Sequence, residues 1–343
     1  MSMLNRHVLT LFASLCATAC IAIPTHDGVG PTAAPPTPQI FAPGVVSGPA
    51  NDGSPAFSPD GNTIFFTRST SNWGAIVESH WVDGHWTQPT LAPFSGEWPD
   101  SSPAMSPDGS YLVFESNRPA IPQTFHSKEG EALPGIVSNL WRVDRVGTGW
   151  SKPTRLPDTV NLVGQSIWKP SIAADGTIYF VSIEKGGKRL FSSQYKNGAY
   201  QQAQPLSFSD GTKLDVDPEI APDGSFLVFC SAGRLAGDSK DHLFIVLREA
   251  DKWGAVVPIR YDGDDRNGYS SDDEPHLGPD HRTLYFSSDR VIQAHFPRSP
   301  EEAQLDFKRL DSLGWFSGYA NVWSIPLSTW LNSDEAGKPR GTK

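Results

Sequence analysis

One phrase recurs five times along the chain. It reads SPAFSPDGNTIFFTR at 54–68, SPAMSPDGSYLVFES at 102–116, KPSIAADGTIYFVS at 169–182, DPEIAPDGSFLVFCS at 217–231 and EPHLGPDHRTLYFSS at 274–288. The turn aspartate falls at positions 60, 108, 175, 223 and 280. One Pro-Asp-Gly turn constrains little. Five in order, each followed by an alternating aromatic-rich run, define a repeat whose units must bury their apolar faces against one another.

Each unit reads as four strands. The first is short and carries Pro55, Pro103, Pro170, Pro218 or Pro275. Proline has no N–H to give a ladder, so this strand belongs at a sheet edge. In the turn that follows, Pro presets the first corner, Asp bonds its own backbone and Gly accepts a positive φ. The second strand is apolar (TIFFT, YLVFES, TIYFVS, FLVFCS, TLYFSS) and a third comes later (AIVESHW, NLWRVD, RLFSSQY, HLFIVLR, NVWSIP). A turn with an aromatic leads to a fourth in four units; the fifth unit lacks one. At the other end of the chain TPQIFAPGV (37–45) matches WTQPTLAPF (86–94), so the N-terminal strand is expected to complete the last blade and remove two open edges.

The repeated P-x-x-SPDG phrase with its following strand resembles the TolB-like, WD-type β-propeller repeat family over about residues 37 to 330. The resemblance implies an all-β fold, a β-propeller of five four-stranded blades, with six as the alternative because TolB itself has six. Blade 3 departs from the motif with AADG and blade 5 with GPDH, and TolB's extra N-terminal domain has no counterpart.

Composition agrees with many short strands and turns: 31 Gly, 30 Pro, 18 Phe and 11 Trp in 343 residues, with 19% charged and 38% hydrophobic. The net charge of −10 repels phosphate backbones, so no nucleic acid partner is expected. Residues 1–19 read as a signal peptide, because the apolar run VLTLFASLCATA is too short to span a bilayer. Two processing routes fit. One is ordinary cleavage after Ala19; the other, preferred, is a lipoprotein signal with Cys20 lipidated, since plain cleavage would expose a free thiol in an oxidising compartment. Residues 20–36 read as a Pro/Gly-rich tether, 37–332 as one propeller domain and 333–343 as a polar tail. Cys230, within SFLVFCS, reads as a buried small hydrophobe, and no disulfide is expected. The localisation expected is periplasmic, lipid-anchored to the outer membrane, with no other membrane contact and a monomeric state.

Two residue sets stand out. Three positions before the first-strand Pro stand Asp52, Asp100, Ile167, Asp215 and Asp272; at the end of the second strand stand Arg68, Arg118, Lys185, Arg234 and Arg290. The one blade lacking Asp also lacks Arg, which favours Asp–Arg clamps over an acidic cation ring. The second set is where the repeats disagree. Flanking the Pro stand Ser54/Ala56, Ser102/Ala104, Lys169/Ser171, Asp217/Glu219 and Glu274/His276. With Trp168 and Asp273 these form a candidate axial pocket of blades 3–5: Trp168, Lys169, Asp217, Glu219, Asp273, Glu274 and His276. A polar water-filled channel is the plain reading. A small-molecule or glycan pocket and a divalent-cation site are the functional ones. No cofactor is expected. The acidic stretch YDGDDRNGYSSDDEP (261–275) reads as an interblade loop, because Arg266 falls where a calcium loop needs an oxygen.

The large insertions, 118–138, 234–241 and 291–319, all fall on the face opposite the Pro-Asp-Gly turns, and Ser299-Pro300-Glu301-Glu302 marks a helix start running to about Leu313. The expected function is therefore a non-enzymatic envelope propeller that binds an envelope protein or peptide on its loop-bearing face. The alternative is a carbohydrate-active enzyme, a lyase or glycosidase, or a glycan-binding protein, using the axial pocket. A serine peptidase reading finds no G-x-S-x-G elbow.

Overall fold

The computed structural model describes residues 35–70, 73–119, 138–184, 187–235, 239–262, 270–290, 297–313 and 320–332. These lie in one compact unit, Ala34–Lys343. The expected signal peptide with Cys20, most of the expected tether and the expected tail, together with Lys185 and most of the 118–138 insertion, lie outside them.

Five antiparallel sheets follow one another along the chain. Blade 1 is built from Asn51–Phe57, Thr63–Ser69, Gly74–Val82 and the short outer Thr90–Leu91. Blade 2 is Asp100–Met105, Tyr111–Ser116, Asn139–Val146 and Thr154–Arg155; blade 3 is Ile167–Ile172, Ile178–Glu184, Gly187–Ser193 and Gln204–Pro205. Blade 4 is Leu214–Ile220, Phe226–Ala232, His242–Glu249 and Lys252–Pro258. Blade 5 takes Asp272–Leu277, Thr283–Ser288 and Asn321–Pro326, and its fourth strand is Gln39–Ile40, paired as Gln39 with Ser324 and Ile40 with Trp323. The innermost strands touch in sequence order and the fifth touches the first, so the ring is closed. The protein is a five-bladed β-propeller, not a six-bladed one.

The core sits between blades. Phe65, Phe94, Phe114 and Trp141 pack blade 1 against blade 2, and Ile64, Phe66, Val77 and Val322 pack blade 1 against blade 5. The second strands lie in the middle of their blades and are buried on both faces, with Ile64 and Phe66 toward blade 5 and Phe65 toward blade 2, the reason that run is apolar and aromatic-rich.

The Pro-Asp-Gly turns interlock. Each Asp serves its own turn: Asp60 Oδ1 accepts from Asn62 N, Asp108 Oδ1 from Ser110 N, and Asp223 Oδ1 from Ser225 N. Gly61 and Gly109 are held at φ +72° and +71°, and a Cβ on either would press on the turn proline of the preceding blade, 3.2 Å from Pro279 and 3.1 Å from Pro59. The phrase thus shapes a turn and also fits it to its neighbour.

A second repeated feature lies beneath it. In all five first strands the register slips by a bulge at the residue before the Pro and the Pro itself. The residue before the Pro is left-handed every time: φ is 48° at Ser54, 51° at Ser102, 53° at Lys169, 54° at Asp217 and 50° at Glu274. None is glycine, and a residue before Pro ordinarily avoids helical conformations, so each blade holds local strain at its inner edge.

The insertion before the last strand carries helix α1 (Pro300–Leu313), opened by a capping box. Ser299 Oγ accepts from Glu302 N at 3.1 Å and Glu302 Oε2 accepts from Ser299 N at 2.8 Å. After the last strand, α2 (Ser328–Leu331) buries Trp330. No described helix is long and apolar enough to cross a membrane.

Candidate functional site

The axis is organised in three tiers. At the loop-bearing end lie the Asp–Arg pairs. Arg68 meets Asp52 through Nε at 2.6 Å and Nη2 at 3.2 Å, and Nη2 also donates to Val45 O. Arg234 meets Asp215 through two 2.7 Å bonds and donates to Phe208 O. Arg118 Nη2 lies 2.6 Å from Asp100 Oδ1. Asp52, Asp100 and Asp215 are buried, and each pair joins the interblade connection to the two inner strands. Blade 5 differs: Arg290 Nη2 stands 4.0 Å from Asp272 Oδ1, and Tyr261 bridges them, its hydroxyl bonding Asp272 Oδ2 and accepting from Arg290 at 2.8 Å. In blade 3 Ile167 is buried in the apolar core.

The middle tier is a buried charge cluster. The bulges turn the residues before the Pro toward the axis, where Lys169 Nζ pairs with Glu274 Oε1 and donates to Ser54 Oγ at 2.8 Å. Three blades are thereby tied across the axis. Glu274 Oε2 accepts from Ser287 Oγ at 2.7 Å, and its carboxylate fills the notch at Gly53, where a Cβ would overlap it. Asp217 Oδ2 accepts from Glu274 N at 3.1 Å and from Cys230 Sγ at 3.5 Å. Burial alone would lower the Lys169 ammonium, but the charges of Glu274 and Asp217 hold it above its ordinary range. Burial would likewise raise Glu274, yet Lys169 brings it down to about 2. Asp217 and Asp273 are pushed up by burial and by neighbouring carboxylates, which one cation cannot balance.

The outer tier is a 70 Å³ cavity at the mouth on the turn face, collared by Pro59, Pro107, Pro222 and Pro279. At its floor Glu219 Oε2 accepts from Ser171 Oγ at 2.8 Å, Oε1 accepts from Leu277 N at 2.8 Å, and His276 Nδ1 lies 3.7 Å away. Burial raises Glu219 to about 7 and lowers His276 to about 3, so the carboxyl gains a proton near neutrality while the imidazole stays uncharged.

The seven expected pocket residues therefore do not share one pocket. Glu219 and His276 line the turn-face cavity; Lys169, Asp217 and Glu274 form the tier beneath. Trp168 lies under the Lys188 ammonium, 5.8 Å from its ring centre, and Asp273 pairs in register with Ser287. Among the described residues no group of three or more His, Cys, Asp or Glu side chains could hold a metal ion.

Sequence reasoning passed over one contributing position. Seven residues after each turn Asp stand Thr67, Glu115, Ser182, Cys230 and Ser287. Thr67 Oγ1 accepts from Ser102 N, Glu115 Oε1 from Ser138 Oγ, and Cys230 and Ser287 donate to the axial carboxylates. The signal was there: a polar or small residue directly after the strand's buried apolar run. These side chains meet the N–H groups and carboxylates of the inner edge, which no further strand covers.

No family model matches the chain, and no curated protein matches it. Among solved structures it is similar to a protein from Agrobacterium tumefaciens assigned as TolB, at 16% identity and a TM-score of 0.45 over 73% of this chain and 74% of that one. It is similar to TolB from Acinetobacter baumannii at 14% identity and a TM-score of 0.41, over 79% of this chain and 54% of that one. It is also similar to an α-L-arabinofuranosidase from Podospora anserina solved with cellotriose, at 14% identity and a TM-score of 0.49, over 86% of this chain and 97% of that one. These are likenesses of fold. The five-bladed assignment stands on the strand pairing above.

Proposed function

We propose that this chain is a non-enzymatic propeller of the bacterial envelope that holds a protein or peptide partner on its loop-bearing face. One observation carries the reading: that face presents a set of exposed apolar side chains. Trp73 stands between the second and third strands of blade 1, and Val163, 81% exposed, between blades 2 and 3. Ile183 ends a second strand, Leu214 starts a first strand, and Leu305 and Phe307 lie on α1. Trp81, Val82, Val146 and Tyr195 are exposed at the opposite, turn-bearing face. The weight therefore falls on Leu305 and Phe307, carried by a helix in an insertion outside the repeat, where exposed apolar side chains favour association with a partner surface. The leader and Cys20 would export the domain and tether it to the outer membrane.

Acid–base chemistry on a glycan at the axis would use Glu219 and His276. The cavity there weighs against it. At 70 Å³ it falls well below the roughly 300–1,000 Å³ of ordinary small-molecule sites, and its lining holds one carboxylate where glycosidases need two.

The test compares two double variants of the full chain as bait in a bacterial envelope extract. Leu305→Glu with Phe307→Glu should lose the captured protein; Glu219→Gln with His276→Ala should keep it. Loss of capture, or of a glycan turnover, in the axial variant alone would overturn the reading.

A further inference from the structure

In blade 3 the turn between the third and fourth strands is a short hairpin, Tyr195–Lys196 paired with Ala199–Tyr200, around an Asn197-Gly198 turn with both residues left-handed. It is the counterpart of Trp81–Val82 paired with His85–Trp86 in blade 1, and it sets two tyrosines where blade 1 sets two tryptophans. The hairpin leans on the first turn of its own blade: Tyr195 is the side chain that a Cβ on Gly176 would meet, at 3.2 Å. Between this hairpin and blade 2 opens a cleft of about 450 Å³, bordered by both blades' Asp-Gly turns.

The walls are aromatic and hydrogen-bonding together. Tyr195 and Tyr200 meet edge to face with centroids 5.0 Å apart, and Tyr195 stays exposed. Across from them the Arg142 guanidinium stacks 3.7 Å from the Tyr111 ring centre. The charge of Arg142 is already met by Asp144, at 2.5 Å and 2.9 Å. Burial holds the Tyr111 and Tyr200 phenols above their ordinary range, and their hydroxyls are hydrogen-bonded to each other, with Tyr200 also bonded to Arg142. Asp108 and Asp175 stand on the rim and spend Oδ1 on their own turns, leaving Oδ2 to accept from a ligand.

We propose that this cleft is a binding site for a neutral saccharide. The face of a sugar ring presents weakly positive C–H groups, which suit the negative face of a tyrosine ring such as Tyr195. Sugar hydroxyls both donate and accept, and the cleft offers phenol donors beside carboxylate acceptors. The rim is net negative once Arg142 is paired with Asp144, which disfavours uronates, phosphates and acidic peptides. The volume lies within the ordinary range for small-ligand sites, unlike the axial cavity.

Calorimetric titration of the full chain against maltohexaose, chitohexaose and xylohexaose tests this, with a hexagalacturonate and a proline-rich octapeptide as the anionic and peptide comparators. At least one neutral hexaose should bind. Tyr195→Ala should weaken that binding about tenfold, while Tyr195→Phe, which keeps the ring, should leave it unchanged. Tyr195 is exposed on a short hairpin, so both variants should fold, as circular dichroism would confirm. The proposal is overturned if no neutral hexaose binds. It is equally overturned if binding ignores Tyr195→Ala, or if the galacturonate or the peptide takes the cleft in place of the neutral sugars.

Discussion

Replacing Lys169 by Met removes the one cation that ties blades 1, 3 and 5 across the axis while keeping the side chain's length. Glu274 is then left in the Gly53 notch, bonded by Ser287 and facing the carboxylates of Asp217 and Asp273 without a cation between them. The size of the loss follows from Glu274 itself. Its carboxyl is held at about 2 against an ordinary 4.5, a stabilisation of about 3 kcal/mol at neutral pH. Breaking a buried pair by removing one partner costs about 3–5 kcal/mol on general grounds, so the two routes agree. The sign in pH is fixed by the depressed value. The contribution is full above pH 4.5 and is lost as pH falls from there through about 2. Urea unfolding at a series of pH values should therefore give a variant weakened by about 3 kcal/mol at pH 7, with the gap closing below pH 4.5. Adding Glu274→Gln to Lys169→Met should recover much of the loss, because the stranded charge is gone. A cost below about 1 kcal/mol at pH 7, or no recovery in the double variant, would refute the view of Lys169 as the electrostatic tie of the ring.

Two further outcomes follow from the geometry. Glu219 is raised from an ordinary 4.5 to about 7, so the folded state prefers the acid and loses stability as pH rises through that window; Glu219→Gln should be more stable than the parent at pH 8 by up to about 3 kcal/mol and no different at pH 4.5, as thermal melts would show. Gly109→Ala should cost about 2 kcal/mol, more than Gly84→Ala, because both sit at positive φ but only at Gly109 would the new methyl press on Pro59 while Gly84 has nothing within 4 Å; a paired denaturation series reads the difference.

The frame was legible because it rests on local chemistry repeated five times. Pro-Asp-Gly turns, alternating second strands and the echo of WTQPTLAPF in TPQIFAPGV name the blades and the closing strand, and Gln39–Ile40 pairs with Ser324 and Trp323 as that echo requires. The axial residues were legible as a set, since they are where the copies differ. Their division into tiers was not. Lys169 and Ser171 are two positions apart, which in a regular strand puts both on one face about 7 Å apart along it. With the bulge between them Lys169 reaches Glu274 while Ser171 reaches Glu219. Nor was the Tyr111–Tyr195–Tyr200 cleft readable from the repeat, because it lies between two blades and depends on how side chains far apart in sequence are set against one another.

The bulge also explains why the axis varies so freely in chemistry. A left-handed residue before Pro costs on the order of 1 kcal/mol without glycine, and here it is kept with serine, lysine, aspartate and glutamate alike. Glycine would relieve that strain at every blade, so the side chain at this position must return more than the strain takes. For Lys169 and Glu274 the return is the ion pair, and for Asp217 the bond from Glu274 N. Ser54 and Ser102 supply the smaller counterparts, Ser54 accepting from Lys169 and Ser102 donating to Glu115 at 3.3 Å. The inner strands of neighbouring blades share no ladder, so the Lys169–Glu274, Lys169–Ser54 and Asp217–Glu274 contacts add ties between blades 1, 3, 4 and 5 to the apolar packing between blades. A ring joined this way depends on its ionisation state. Glu274, before the Pro of the blade 5 bulge, is held charged by Lys169. Glu219, after the Pro of the blade 4 bulge, is buried beside no cation among the described residues and is pushed up, so their pH windows are opposite.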